Sequence, residues 1–434
     1  MRFEHPDLPG RGVRLAYCLN LHAADDLAGV LAGMRAVTVP LADRLAPERT
    51  ADAPFGVGVW LPADVALALA APAGATDLAR YVDFFREHRL DPFTFNAFPY
   101  GGFHTKGLKE RVFRPTWKAP ERSAYTLGVA RIAHALHGER PTSHVSISTH
   151  AGMFGEWVQG QDDLDACADA MLLVGLALAQ LEDESGLRIV LSLEPEPRSS
   201  ANDTGVLSGF HERLRARALH VLGRDFPGLR ELSERVVQRH LGTCLDTCHA
   251  AVEFEEPATA FANATLAGTP LGKLQFSSAL ALARPGHDAP GRQALFALAE
   301  PTYLHQVTAR AADQALLRVR DLPDAEARFQ AADPAWQTAQ ELRCHFHVPV
   351  DLTNAAGLAT TRAAADATLA EALANPARWG TTELHVEIET YTWDVLPSAL
   401  AADRVAGLAA EYAHVLARLD HHGWQPANFP PARR

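Results

Sequence analysis

Four segments of the chain each run as an alternating apolar strand and then stop on acid, amide or imidazole side chains: RIVLSLEPEP (188–197), GTCLDTCHAA (242–251), GKLQFSSAL (272–280) and LHVEIETYTW (384–393). In the first, Ile189, Leu191 and Leu193 share one face; in the last, Leu384, Val386 and Ile388 alternate with His385, Glu387 and Glu389, because successive strand side chains point to opposite faces of a sheet. One face therefore demands a hydrophobic cover, while the other collects oxygen and nitrogen donors at its carboxyl end. The eight-stranded α/β barrel builds its sites there, from the ends of several different strands. On that fold, Glu194, Asp246, Gln275 and one of Glu387 or Glu389 converge on a small volume suited to a divalent metal.

The rest of the chain has the matching rhythm. GVRLAYCLN (12–20), FGVGVWLP (55–62), DPFTFNAF (91–98) and SHVSIST (143–149) read as strands, interleaved with helical stretches from about 63 to 89, 121 to 137, 162 to 185, 207 to 240 and 257 to 266. Such βαβα order predicts a parallel sheet covered by helices, and 434 residues with 47% hydrophobic side chains suffice for one decorated (β/α)8 TIM barrel. The order breaks twice. Residues 97–120 form a long loop after the third strand, offering Tyr100, His104, Lys106, Lys109, Arg111 and Arg114, with Tyr100 and His104 as candidate substrate contacts. Long loops at the carboxyl end of barrel strands carry binding groups disproportionately often. Residues 284–340 read as an insertion before the last strand, with YLHQVTAR and ALLRVRDL forming a hairpin followed by a helix. RCHFHVPVD (343–351) makes nine strand candidates for eight places, and it carries His345 and His347 on one face as further substrate-binding candidates.

Charge and cysteine usage narrow the partners. Forty Lys and Arg against 52 Asp and Glu give −12 with His neutral, which does not provide the basic surface that nucleic acid requires. The amino terminus lacks a charged-then-apolar signal pattern, and no uninterrupted apolar run reaches about 18 residues. The expectation is a soluble cytoplasmic chain without a membrane span, taking a small-molecule metabolite as partner. Five cysteines without a CxxC pair point to buried thiols rather than a disulfide framework. Signatures for dinucleotide or phosphate loops, zincin proteolysis and the nucleophile elbow are missing.

The order LSLEP (191–195), CLDTCH (244–249), KLQFS (273–277) and HVEIE (385–389) resembles the last four strands of the xylose isomerase-like sugar isomerase and epimerase superfamily. With AYCLNLHA, FNAFPYGGFH, SISTH, HFHVPVD and VEIETYTWDVLP, the chain is similar nearly end to end to the EboE-type "metabolite traffic" family, a branch of that superfamily found in conserved bacterial gene clusters. The resemblance implies metal ligands at Glu194, Asp246, Gln275 and Glu387, a substrate-contacting His249, and one divalent ion, with Mn, Mg, Zn or Co open. It also implies other proteins of such a cluster as partners. Two departures stand out: relatives carry an Arg shortly after the third ligand, where this chain has FSSALALA, and Glu389 shares the orientation of Glu387. The activity implied is isomerisation or epimerisation of a sugar or cyclitol-like hydroxy-carbonyl compound by enediolate proton transfer, with Glu194 and Glu387 as acid and base and His249 as hydrogen-bond donor. The alternatives are a barrel that binds and hands on a metabolite without changing it, a related multi-zinc hydrolase, which the net charge disfavours, and a purely structural partner of its cluster.

Overall fold

The computed structural model describes residues 1–22, 24–102, 104–138, 143–222, 229–394 and 403–427. Ala23, Phe103, 223–228 within the expected helical stretch and 395–397 of the last motif lie outside the described residues. Seven strands in succession, β1 (Gly12–Tyr17), β2 (Phe55–Trp60), β3 (Leu90–Asn96), β4 (Val145–His150), β5 (Ile189–Glu194), β6 (Leu241–Asp246) and β7 (Leu271–Phe276), are joined by β14 (Glu383–Ile388) in one parallel sheet. The β14 strand lies between β7 and β1, and a parallel bridge from Cys18 to Gly58 links β1 to β2. The ring is therefore closed: this is a (β/α)8 barrel, and each strand is followed by helix before the next barrel strand. Register aligns the strand ends, with His150 opposite Glu194, Asp246 opposite Gln275, and Gln275 opposite Glu387.

Alternation decides what lies inside and outside. Val13, Leu15, Ile147, Leu191, Leu193, Leu274, Leu384 and Val386 join the main apolar core beneath the helices. The helix Gln161–Ser185 is long and apolar enough by composition to cross a bilayer, yet here its Cys167, Met171, Val174 and Leu178 are buried in that core. The opposite faces of the strands fill the barrel with polar groups that satisfy one another. Ser146 Oγ bonds Thr94 and His385, Ser148 Oγ donates to Asn96 Oδ1 at 2.5 Å, and Gln275 Nε2 donates to the same oxygen at 3.1 Å. At its centre Lys273 Nζ reaches Glu387 Oε2 at 2.6 Å, Asn96 Oδ1 at 2.8 Å and the Phe95 carbonyl at 3.2 Å, so all three ammonium donors are used. Both charges are fully buried. Gly58 makes the room for this: a β-carbon there would fall 1.8 Å from Glu387 Oε1.

A second, antiparallel sheet grows directly out of the ring. After β7 only Ser277 intervenes before β8 (Ser278–Ala283), which pairs with β11 (Glu341–Val348) and β13 (Leu358–Thr360); β9 (Val307–Arg310), β10 (Leu316–Val319) and β12 (Asn354–Ala355) complete the order β10-β9-β11-β8-β13-β12. The two alternating runs inside 284–340 are the hairpin strands β9 and β10, and the helix Leu322–Gln330 follows them. The sheet draws in residues on both sides of 284–340, so the excursion from the barrel runs from 278 to about 360. It has its own apolar cluster, including Leu280, Val307, Leu322, Leu342, Phe346 and Val348. Of the nine strand candidates, RCHFHVPVD is the one outside the ring, as most of β11.

Candidate metal centre

Three acids reach one another at the carboxyl end of the barrel. Glu194 ends β5, Asp246 ends β6, and Glu389 stands just beyond β14; one carboxylate oxygen of each lies within 4.8 Å of the others, and all three residues are buried. Asp246 caps the short helix Thr247–Val252, its Oδ1 accepting from the His249 backbone N–H at 2.9 Å. Its Oδ2 is buried with no hydrogen-bond partner. Glu389 Oε1 accepts from Asn20 Nδ2 at 2.7 Å, and its Oε2 is likewise buried without a partner. Burial and the neighbouring acids Glu389 and Asp246 hold the Glu194 carboxyl well above the usual carboxylate range. Burial, with Asp246 and Glu387, does the same to Glu389, and burial raises Asp246.

Three imidazoles close the other side. His249 comes from the helix after β6, and His345 and His347 project from one face of β11, the strand of the second sheet that leans over the mouth. Their Nε2 atoms stand 3.1 Å (His249–His345), 3.2 Å (His249–His347) and 2.8 Å (His345–His347) apart. The Nδ1 atoms turn away from the triangle: His249 to the Pro195 carbonyl at 3.0 Å with Glu194 Oε1 at 3.3 Å, His347 to the Glu389 carbonyl and Ser277 Oγ at 3.0 Å each, and His345 to Gln306 Oε1 at 2.6 Å. Glu196 lies within reach of His249 and His345, and Asp246 within reach of His249 and His347. Burial pushes His249 down to about 3 and His347 to about 4, and pushes Glu196 up to about 8.

Of the residues expected from sequence, Glu194, Asp246, His249, His345, His347 and Glu389 therefore meet. Glu387 and Gln275 do not join them. The two acids of β14 share an orientation, but Glu387 lies one inward-facing position deeper, roughly 6.6 Å down the strand; there Lys273 and Asn96 Nδ2, the latter at 3.0 Å, occupy its oxygens. Gln275 sits in the same layer, its Oε1 accepting from Cys244 Sγ at 2.8 Å. Glu387 is thus placed in the barrel's buried polar core, and of the two acids it is Glu389 that stands at the mouth beside Glu194 and Asp246.

The long loop lines the cavity mainly with apolar groups, Phe98, Pro99, Leu108 and Val112, together with Lys109. His104 bonds Tyr303 OH at 2.6 Å and the Asn20 carbonyl at 2.9 Å, so both ring nitrogens are engaged. Tyr100 packs edge-on against Tyr125. Backbone bonds from Gly107 to Pro301 and from Lys109 to Thr302 stitch the loop to the second sheet's 300–304 segment. The cavity is lined by Glu194, Glu196, Glu389 and the three histidines together with apolar and aromatic groups that include Leu304 and Tyr391. Lys109 is the one basic lysine or arginine among the described lining residues, and it is paired with Asp321 at 2.7 Å. Sequence reasoning missed Glu196, although EPEP repeats the acid at the alternation interval. It also missed Lys273, which KLQ places on the same strand face as Gln275, and Gln306, which has no local signal.

No protein-family model matches the sequence, and no curated protein matches it. Among solved structures, the chain is similar to AsbF of Bacillus anthracis, a probable 3-DHS dehydratase involved in petrobactin synthesis, at 12% identity over 61% of this chain and 73% of that one, with a TM-score of 0.36. It is also similar to the IOLI protein, solved with a zinc atom, at 11% identity over 61% and 74%, with a TM-score of 0.33. Both likenesses are distant, and the barrel is established by its own strand order.

Proposed function

We propose that the barrel mouth is a divalent-metal centre, and that the protein is a metal-dependent isomerase or epimerase of a small, uncharged hydroxy-carbonyl metabolite of the sugar or cyclitol kind. The observation that carries this reading is the meeting of Glu194, Asp246 and Glu389 from three different strand ends, with two of their oxygens buried and unpartnered. Buried acids at this spacing repel one another, and a cation is what relieves both the repulsion and the unmet oxygens. The donor set fits such an ion, since carboxylates suit Mg²⁺ or Mn²⁺ and the adjoining imidazoles suit Zn²⁺ or Co²⁺. A cation held by these acids supplies Lewis-acid polarisation of two adjacent substrate oxygens.

The chain's own groups then do the rest. Glu194, on the neighbouring strand β5, and Glu389, just beyond β14 two ring positions the other way, flank Asp246, and act as the pair that removes and returns a carbon-bound proton, with Glu389 in the role that sequence resemblance gives to Glu387. Asn20 fixes Glu389 by its 2.7 Å bond, and the His249 backbone N–H fixes Asp246. The loop and the 300–304 segment, joined by the Gly107–Pro301 and Lys109–Thr302 backbone bonds, line the cavity with them. With Lys109 neutralised by Asp321, the cavity has no free lysine or arginine among its described lining residues, which favours an unphosphorylated ligand.

The test is solvent-deuterium exchange. Protein loaded with Mn²⁺ and incubated with ketoses and inososes in D₂O is expected to exchange the proton beside the carbonyl, read by proton NMR, and Glu194→Gln is expected to stop it. Exchange that survives chelation or the Glu194→Gln change would refute the mechanism. A loaded protein that binds such ligands without exchanging any proton would be a metabolite carrier on the same barrel.

A further inference from the structure

The three imidazoles carry an argument separate from the acids. A neutral imidazole has one N–H and one lone pair. The partners of His249 Nδ1 and His347 Nδ1 include backbone carbonyls, which only accept. His345 Nδ1 faces Gln306 Oε1, and the orientation of that amide is fixed because its Nε2 donates to the Pro197 carbonyl at 3.0 Å. Each Nδ1 therefore carries the hydrogen, and each Nε2 presents a lone pair. Three lone pairs then face one another across 2.8, 3.1 and 3.2 Å with no proton between them.

That arrangement repels itself unless a cation sits among the nitrogens. The edges are within about half an ångström of the roughly 3.3 Å set by a tetrahedral ion with bonds of about 2.05 Å. Outward N–H groups held by carbonyl or amide oxygens are how metal-binding histidines are oriented. Buried oxygens without partners adjoin the triangle on both sides, Glu196 Oε2 and Asp246 Oδ2.

We infer that the mouth holds two divalent ions: one on the acids Glu194, Asp246 and Glu389, and a second, borderline-soft ion such as Zn²⁺ or Co²⁺ on His249, His345 and His347, with Asp246 shared between them. The inference rests on the proposed metal centre and adds to it a position built mainly from the second sheet. Two of its three nitrogens come from β11, so the excursion from the barrel is part of the site and not only its cover.

Elemental mass spectrometry on the full chain after equilibration with Zn²⁺ and removal of loose metal tests this. Two equivalents are expected in the wild type, one in His345→Ala/His347→Ala, and one in Glu389→Gln. One equivalent in the wild type would overturn the second ion while leaving the proposed function standing; none would overturn both. Loss of all metal in each variant would reduce the two positions to a single mixed one and overturn the inference. If the double variant fails to fold, Co²⁺ titration of the wild type decides. Intense visible absorption from a tetrahedral, nitrogen-bound ion at one of two equivalents supports the second position, and its absence across the whole titration overturns it.

Discussion

The pair Lys273–Glu387 sits at the centre of the barrel, and its removal one charge at a time should be far worse than its removal altogether. Both side chains are fully buried and 2.6 Å apart. Lys273→Met leaves Glu387 with its Asn96 bond but no countercharge; Glu387→Gln leaves a buried ammonium with only the Asn96 and Phe95 oxygens. Breaking one side of such a pair costs about 3–5 kcal/mol, a large share of a total that is commonly 5–15 kcal/mol. In Lys273→Met/Glu387→Gln no charge remains, the amide at 387 can still accept from Asn96, and the loss should shrink to about 1–2 kcal/mol. The cycle should therefore show a coupling of at least about 4 kcal/mol, where independent sites add within about 0.5. Denaturant unfolding of the four proteins, followed by circular dichroism and tryptophan fluorescence, measures it. Additive losses, or single losses below about 1 kcal/mol, would refute the account of the barrel centre as one coupled network.

The same acids separate structure from chemistry: Glu387→Gln should lower stability yet keep the wild-type metal content, whereas Glu389→Gln should lose metal with little loss of stability; the reverse pattern by elemental analysis would move the site one layer down. Burial pushes Glu411 up to about 8, although Thr390 and the Val350 N–H bond one of its oxygens. An acid raised in the fold is protonated there while its unfolded form ionises near 4.5, so stability is lost as pH climbs from about 4.5 to 8. That contribution reaches up to about 5 kcal/mol, and Glu411→Gln should flatten the slope; an unchanged slope in unfolding measured from pH 5 to 8.5 would count against it. Tyr303→Phe removes the 2.6 Å bond to His104, about 0.5–1.5 kcal/mol, and should speed amide exchange across residues 104–113; unchanged exchange would mean the backbone stitches alone hold the loop. Gly58→Ala should destabilise by displacing Glu387, with thermal unfolding as the readout.

The barrel was legible because its signal is local. Period-two alternation ending in acids marked β5, β6, β7 and β14, and the helices between them followed from length and apolar content. What alternation does not encode is depth. Glu387 and Glu389 are equivalent by face, and only the ring's geometry puts Lys273 beside one and leaves the other at the mouth. The same limit applies to Gln275, whose amide is absorbed by Asn96 and Glu387. His345 and His347 could be seen as a pair on one strand face, but their meeting with His249 depends on how a sheet outside the ring folds back over it, a contact separated by 96 and 98 positions in sequence. Gln306, Asn20 and Tyr303 act through similarly distant partners and left no local pattern.

The single residue between β7 and β8 ties these parts mechanically. Ser277 gives its N–H to Thr247 Oγ1 at 3.1 Å, its carbonyl accepts from that hydroxyl at 2.7 Å, and its own hydroxyl bonds His347 Nδ1 at 3.0 Å. A barrel stave thus becomes a stave of the neighbouring sheet without a hinge, pinned to the helix that carries His249. Excising 278–360 would not unload a dispensable module; it would cut a continuous beam and take two imidazoles with it. Conversely, an ion gripped from both ends of that beam would be felt as tension across the joint, so chelation should loosen the second sheet first and the ring afterwards.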